Sequence, residues 1–198
     1  MEPYYLLTKF EREIPKGNIL DLGSGNGRNA IYLARNGFEV IAVDFKKEYL
    51  GKIEEISKQE SLKISTRHDD IKSFKPKDKY SAILALNCLH FLKKSEREEL
   101  IDTIKNSLIA EGLAFVSVFT TNDNNYKKFL ESGKQPVEEN TFYSNSTNSH
   151  WSFFNKGELK DKFSDFEILF YNENVIIEDS PEKHTHGIAE VVAKKNFI

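Results

Sequence analysis

Short apolar runs alternate along this chain with segments in which apolar residues recur at helical spacing. Ile19–Leu22, Phe38–Val43, Tyr80–Leu86 and Leu113–Thr120 are such runs, each apolar enough for a parallel strand buried on both faces. Leu62–Thr66 predicts a further strand between the second and third of these. In the intervening segments Ala30, Ile31, Leu33 and Ala34 share one helical face. So do Tyr49, Leu50, Ile53 and Ile56, and then Leu100, Ile101, Ile104 and Leu108. Leu6, Leu7, Phe10 and Ile14 predict an amphipathic leader helix, ended by Pro15 and Gly17, that packs on the sheet edge or over the site. Tyr4 and Tyr5 stand where they can close over a ligand. Asn36-Gly37 closes the second helix, and Glu111-Gly112 turns the chain. Ser95–Glu98 and Asn155–Glu158 read as capping boxes, the second opening a helix that carries Leu159 and Phe163. Phe166–Tyr171 and Ile188–Ala193 predict the last two strands.

The strand, turn, helix and strand over Asn18–Asp44 form half of a dinucleotide-type α/β fold, whose ligand crevice lies at the carboxyl ends of the strands. The texture changes at Thr121–Trp151, which is rich in Asn, Ser, Thr and Lys. Tyr126, Phe129 and Leu130 predict one short helix there. The rest is expected to be mobile or to order as a lid, with a plain surface insertion as the alternative. No repeat and no domain boundary is evident, so one domain over residues 1–198 is expected.

The turn after the first strand carries the chemistry. It reads Asp21-Leu22-Gly23-Ser24-Gly25-Asn26-Gly27-Arg28. A pyrophosphate loop wants Gly-x-Gly-x-x-Gly, and glycines at 23, 25 and 27 followed by Arg28 do not supply it, which argues against a dehydrogenase. Acidic-x-Gly-x-Gly-x-Gly, with Asp44 after the next strand, resembles motif I of the class I S-adenosylmethionine (SAM) methyltransferases. That resemblance implies a Rossmann-like class I methyltransferase fold: a seven-stranded, mostly parallel sheet with the last strand antiparallel and helices on both faces. It implies SAM as cofactor and S-adenosylhomocysteine as product. It places Asp21, Gly23, Ser24, Gly25 and Arg28 beside the cofactor. It assigns Asp44 to the ribose hydroxyls, with Phe45 next to it, and Asp70-Ile71 to the adenine. The backbone of Ala85 and Leu86 would hold the adenosine or methionine end. A polar turn is the plain alternative for Asp69-Asp70.

Gly25–Asn29, Tyr32–Ala34 with Asn36-Gly37, the phenylalanine-rich lead into Gly157–Leu159, and Tyr171–Glu173 together resemble the tellurite-resistance (TehB-like) methyltransferases. Members of that branch methylate small, soft acceptors such as tellurite, selenite or thiol-like compounds. They carry a histidine–arginine pair and a further arginine after the sixth strand, where this chain has the acidic stretch Val175–Ser180. Lys183, His184 and His186 are the candidate substitutes. His90, His184 and His186 are the candidate catalytic residues. His90 either lines the active site or caps the next turn. His184 and His186 share a face of an extended segment, a metal-ligand spacing without an evident third ligand, so no metal is expected.

Composition narrows the partners. The formal net charge is −3 and the pI about 6.0, with no basic excess to neutralise a phosphate backbone, so nucleic acid is not expected as acceptor. Cys88 is the single cysteine, and neither an Asn-Pro-Pro-Tyr clamp nor a Pro-Cys nucleophile surrounds it, so it reads as a buried apolar residue. The N-terminus lacks a signal-peptide pattern and no apolar run is long enough for a membrane span, which points to a cytoplasmic protein without membrane contact, as monomer or homodimer. A regulatory domain that binds SAM without turnover would keep the same motif.

Overall fold

Tyr80–Leu86 is buried along its whole length, and the sheet is built around it. The computed structural model describes residues 2–178 and 184–197, the side chains of 178 and 184 excepted. In chain order the elements are α1 (Tyr5–Phe10), β1 (Asn18–Leu22), α2 (Arg28–Arg35), β2 (Glu39–Asp44) and α3 (Lys47–Gln59). Then come β3 (Ile64–His68), β4 (Tyr80–Leu86), α4 (Lys94–Ser107), β5 (Leu108–Phe119) and α5 (Asn124–Glu131). The chain ends with β6 (Thr141–Ser144), β7 (Ser149–Ser152), α6 (Glu158–Lys162), β8 (Glu167–Glu178) and β9 (His184–Lys194).

Seven strands form one sheet in the order β3-β2-β1-β4-β5-β9-β8. The pairs from β3 through β5 are parallel, and β9 is antiparallel to both β5 and β8. This is the expected mostly parallel sheet with its last strand reversed. Period-2 alternation explains why the central strands are apolar throughout. Ile19, Ala82 and Leu84 face Leu6, Leu7, Leu33, Leu50 and Ile53 on one side of the sheet. Leu20, Leu22, Ile83 and Ala85 face Leu100, Ile101, Ile104 and Phe163 on the other. Each Leu, Ile or Phe among them contributes about 1.5–3 kcal/mol on burial. Strand order reverses between β1 and β4, so their carboxyl ends splay apart into the crevice where α/β sheets bind ligands.

Several predicted boundaries shift. The leader helix stops at Phe10 and continues as a 3-10 turn over Glu11–Glu13. The third strand starts at Ile64, so His68 belongs to it. Helix α4 starts two residues earlier than Ser95 implied, because Glu96 accepts the Lys93 backbone N–H at 2.8 Å. Ser95 instead gives its N–H and hydroxyl to Glu138, both at 2.9 Å. At α6 the Glu158 carboxylate reaches back to the Asn155 N–H at 2.8 Å, but the helix starts only at Glu158 with Gly157 as its N-cap, so the expected box is half formed. The Thr121–Trp151 segment contains α5 and a separate two-stranded hairpin, β6–β7. Strands β8 and β9 run beyond their apolar cores. Val175–Ile177 is therefore strand, not loop, and Ile176 pairs with His186. Among the described residues no helix is long and apolar enough to cross a membrane.

Candidate active site

The three glycines of the turn after β1 serve different ends. A side chain at Gly23 would stand 2.7 Å from the Cys88 Cβ, and one at Gly27 would stand 2.4 Å from Ile53. Those two let the turn settle against the β4 side of the crevice and against α3. Gly25, with φ +53°, has no protein atom within 4 Å of where its Cβ would lie. Its backbone is thus exposed to whatever occupies the crevice.

Asp44 ends β2 directly opposite. Its Oδ2 accepts the Gly25 backbone N–H at 2.8 Å, and its Oδ1 accepts the Lys46 N–H at 2.9 Å. An ionised carboxylate has about four acceptor sites, so each oxygen retains one. The side chain is 4% exposed, and the hydrogen bonds fix its plane. Behind it Asp21 is 2% exposed, with Oδ2 buried and unpartnered. Burial first and the Asp44 carboxylate second raise its pKa to about 7, and Arg28 opposes them. The Ser24 hydroxyl is likewise buried without a partner. Two adjacent buried carboxyls with spare acceptor capacity suit a ligand that brings hydroxyls and a positive charge.

The turn after β3 is built from its own polar groups. Asp70 is exposed, and its Oδ1 accepts the Lys72 N–H at 3.0 Å, while Ile71 packs partly against the core. Asp69 pairs with Arg67 and gives its N–H to the Asp44 carbonyl at 3.2 Å, which ties this turn to the end of β2. Phe45 is 64% exposed beside it, and the His68 ring nitrogen contacts the Phe45 carbonyl at 2.9 Å. Ala85 and Leu86 close β4 against β5. Asn87 follows in the left-handed region at φ +57°, held by the Ser117 hydroxyl at 2.9 Å on both its N–H and its Oδ1.

The fold and the turn lead to one family. The model of the tellurite resistance protein TehB matches residues 9–145, more than half of the chain. The chain belongs to the TehB family. A probable SAM-dependent methyltransferase TehB from Haemophilus influenzae is 28% identical over 159 residues, 79% of this chain and 48% of that protein. The chain thus spans about half the length of that relative. The crystal structure of the Haemophilus influenzae TehB superimposes with a TM-score of 0.78 at 22% identity, over 98% of this chain and 62% of the other. A SAM-dependent methyltransferase from Methanosarcina mazei superimposes with a TM-score of 0.78 at 20% identity, over 100% of both chains. The relatives that share this fold carry names that make SAM their cofactor. The crevice residues fit SAM by their own chemistry: open backbone at Gly25, acceptor capacity on Asp44, and an unpartnered Oδ2 on Asp21.

The TehB-family comparison leaves the histidines to be read from geometry. His90 sits in a 3-10 turn, Leu89–Phe91, and is 2% exposed with Nδ1 unpartnered, so it does not cap the turn through that nitrogen. Burial first and His186 second push its pKa down to about 3, so the ring is neutral at physiological pH. His186 Nδ1 lies 2.7 Å from Asp123 Oδ2. An ionised carboxylate accepts only, which assigns the Nδ1 proton to His186. Asp123 is fully buried, and its other oxygen caps α5 through the Asn125 N–H at 2.7 Å. His184 opens β9, but its side chain, that of Glu178, and all of Asp179 and Lys183 lie outside the described residues. Among the described residues no cluster of three His, Cys, Asp or Glu side chains is placed to hold a metal. Cys88 is 5% exposed and burial raises its pKa, which keeps it a thiol.

Two features escaped the sequence. Asp123 carried the mark of an N-cap, an acid before a helix, but its histidine partner is 63 residues away. Glu190 is a buried acid within an apolar strand, and that mismatch was the available signal. It accepts the Tyr4 hydroxyl at 2.6 Å, the Tyr5 hydroxyl at 2.7 Å and the Asn172 amide at 3.2 Å. The Tyr4 N–H also donates to Asn29 of α2 at 2.9 Å. The leader is therefore pinned from the glycine-turn helix to β9, with both phenols held protonated by burial and by the carboxylate.

Proposed function

We propose that this chain transfers the methyl group of SAM to a small, soft, neutral acceptor of the thiol or chalcogen type. The observation that carries the proposal is the Asp44 carboxylate, fixed by Gly25 and Lys46 with one acceptor site spare on each oxygen. In this reading Asp44 takes the ribose hydroxyls, Gly25 admits the cofactor backbone to backbone, and Asp21 faces its ammonium. Asp70-Ile71 and the backbone of Ala85 and Leu86 complete the nucleoside side, as the family resemblance implies. When bound, SAM supplies a methyl group already activated on a sulfonium.

The protein's part is to orient the acceptor and exclude water. Among the described histidine side chains His186, oriented by Asp123, is best arranged to take a proton from a protic acceptor. His90 is too acidic as its conjugate acid to serve, and its neutral ring gives no attraction to an oxyanion. The 121–151 segment is assigned the role of an acceptor-side wall. The acidic stretch Val175–Ser180 stands where the tellurite-resistance enzymes carry basic residues, and a carboxylate opposes an anionic acceptor by about 1 kcal/mol per close pair in water, and more where solvent is excluded. Tellurite and selenite are expected to be poor acceptors.

The test is methyl transfer from SAM to tellurite and to a small thiol at equal concentration, with wild type and a His184→Ala/His186→Ala double variant. The proposal predicts faster turnover of the thiol and a loss of rate in the double variant. Faster turnover of tellurite, indifferent to both histidines, would overturn the acceptor assignment.

A further inference from the structure

At the carboxyl ends of β4 and β5, aromatic rings from four separate elements converge. Phe119, the last residue of β5, is stacked on His90 at 4.0 Å and 19°, and on His186 of β9 at 4.9 Å and 6°. Trp151 of β7 lies nearly parallel to Phe119 at 5.9 Å and 17°, and Phe91 meets Trp151 edge-on at 5.6 Å and 84°. The core below is mostly aliphatic and sealed. These rings are not all sealed: Phe119 and Trp151 are half-buried and Phe91 is 41% exposed. The Trp151 ring is held in place by its N–H, which donates to Thr147 at 3.0 Å. The turn that carries His90 and Phe91 starts at Asn87-Cys88, and Cys88 is the residue that Gly23 packs against. The ring wall therefore borders the crevice of the glycine turn.

We infer, on the footing of the methyltransferase reading above, that the acceptor is a neutral planar aromatic or heteroaromatic molecule that stacks on the Phe91–Trp151 face. A π-face is what this wall offers, because His90 is a neutral imidazole and Asp123 is engaged by His186 and the α5 backbone. Aromatic stacking gives a ring about a 2- to 13-fold advantage over an aliphatic group of equal area. In the transfer, the lone pair of the acceptor's sulfur or nitrogen forms the bond to the methyl carbon. The bond from that carbon to the sulfonium breaks, its electron pair stays on the departing sulfur, and the acceptor's proton passes to a base or to water.

Trp151 is the single tryptophan of the chain, so its fluorescence reports on the wall directly. The test titrates the protein, without cofactor, with 2-mercaptopyridine and with 2-mercaptoethanol, two thiol-type acceptors of similar acidity. It uses wild type and Phe91→Leu, whose change replaces an exposed ring by an apolar side chain. The inference predicts saturable quenching by 2-mercaptopyridine, tighter binding of it than of 2-mercaptoethanol, and a loss of roughly 2- to 13-fold in Phe91→Leu with an unchanged melting temperature. Equal affinity for the two thiols, or wild-type binding of the ring by Phe91→Leu, would overturn it. A SAM titration in parallel separates the two levels. Cofactor binding without ring preference overturns the aromatic acceptor alone, and absence of cofactor binding overturns the methyltransferase reading beneath it.

Discussion

Replacing Asp21 by Asn isolates the cost of building this crevice. Asp21 is 2% exposed, and burial, reinforced by Asp44, raises its pKa from the ordinary 3.8 to about 7. The folded state therefore binds this proton more tightly than the unfolded chain. Between about pH 4 and pH 7 folding takes up a proton, so stability falls as pH rises through that window. The favourable contribution is complete below about pH 4 and is lost above about pH 7. A separation of about 3 pH units at about 1.36 kcal/mol each corresponds to roughly 4 kcal/mol. Asp21→Asn keeps the shape of the side chain and cannot ionise. Denaturant unfolding at about pH 4, 5.5 and 8 is expected to show wild-type stability falling by up to that amount, with a flatter profile in the variant. SAM, through its ammonium, should restore part of the wild-type loss at pH 8 and weaken in affinity for the variant. Parallel pH profiles for the two proteins would refute the reasoning, because they would mean that Asp21 titrates normally in the folded chain.

Asp44→Ala removes the proposed ribose acceptor and should weaken SAM by about 1.5–3 kcal/mol, the range for hydrogen bonds to a charged group; calorimetry at constant fold, checked by circular dichroism, measures it. Gly25→Val meets no protein atom but places a β-branched residue at φ +53°, so stability should fall by about 1–3 kcal/mol while SAM binding is lost. Retained binding by the folded variant would show that the turn faces elsewhere. Arg97 is 1% exposed, lies over Phe154 at 3.8 Å and pairs with Glu158 at 2.8 Å, so Arg97→Ala should destabilise by roughly 3–5 kcal/mol in urea unfolding, with SAM affinity per folded molecule unchanged.

What was legible in the sequence was local. The apolar run of β4 and the Gly23–Gly27 turn are each set by neighbours within a few residues, and both lie where their pattern predicts. Asp44 could be placed because a parallel strand pair puts it beside the turn. Partnerships across the chain were not legible. Tyr4 and Glu190 are 186 residues apart, and no periodicity links a phenol near the start to an acid near the end. The extension of β8 past Tyr171 rests on pairing with β9 rather than on burial, since Val175 and Ile177 stay exposed, and the short β-branched run Val175-Ile176-Ile177 was the available signal. The Ser95 capping box failed for a related reason: Glu138, from the inserted segment, takes both of its donors. Asn, Ser and Thr concealed the hairpin β6–β7, whose order comes from Phe142 and Trp151 packing on the aromatic side chains of α5 and β5.

The most direct test of the central claim is a calorimetric titration of this chain with SAM, S-adenosylhomocysteine and NAD. The account predicts saturable one-to-one binding of SAM and S-adenosylhomocysteine, both weakened by Asp44→Ala, and no comparable binding of NAD. Preference for NAD, or failure of the folded protein to bind SAM, would contradict it.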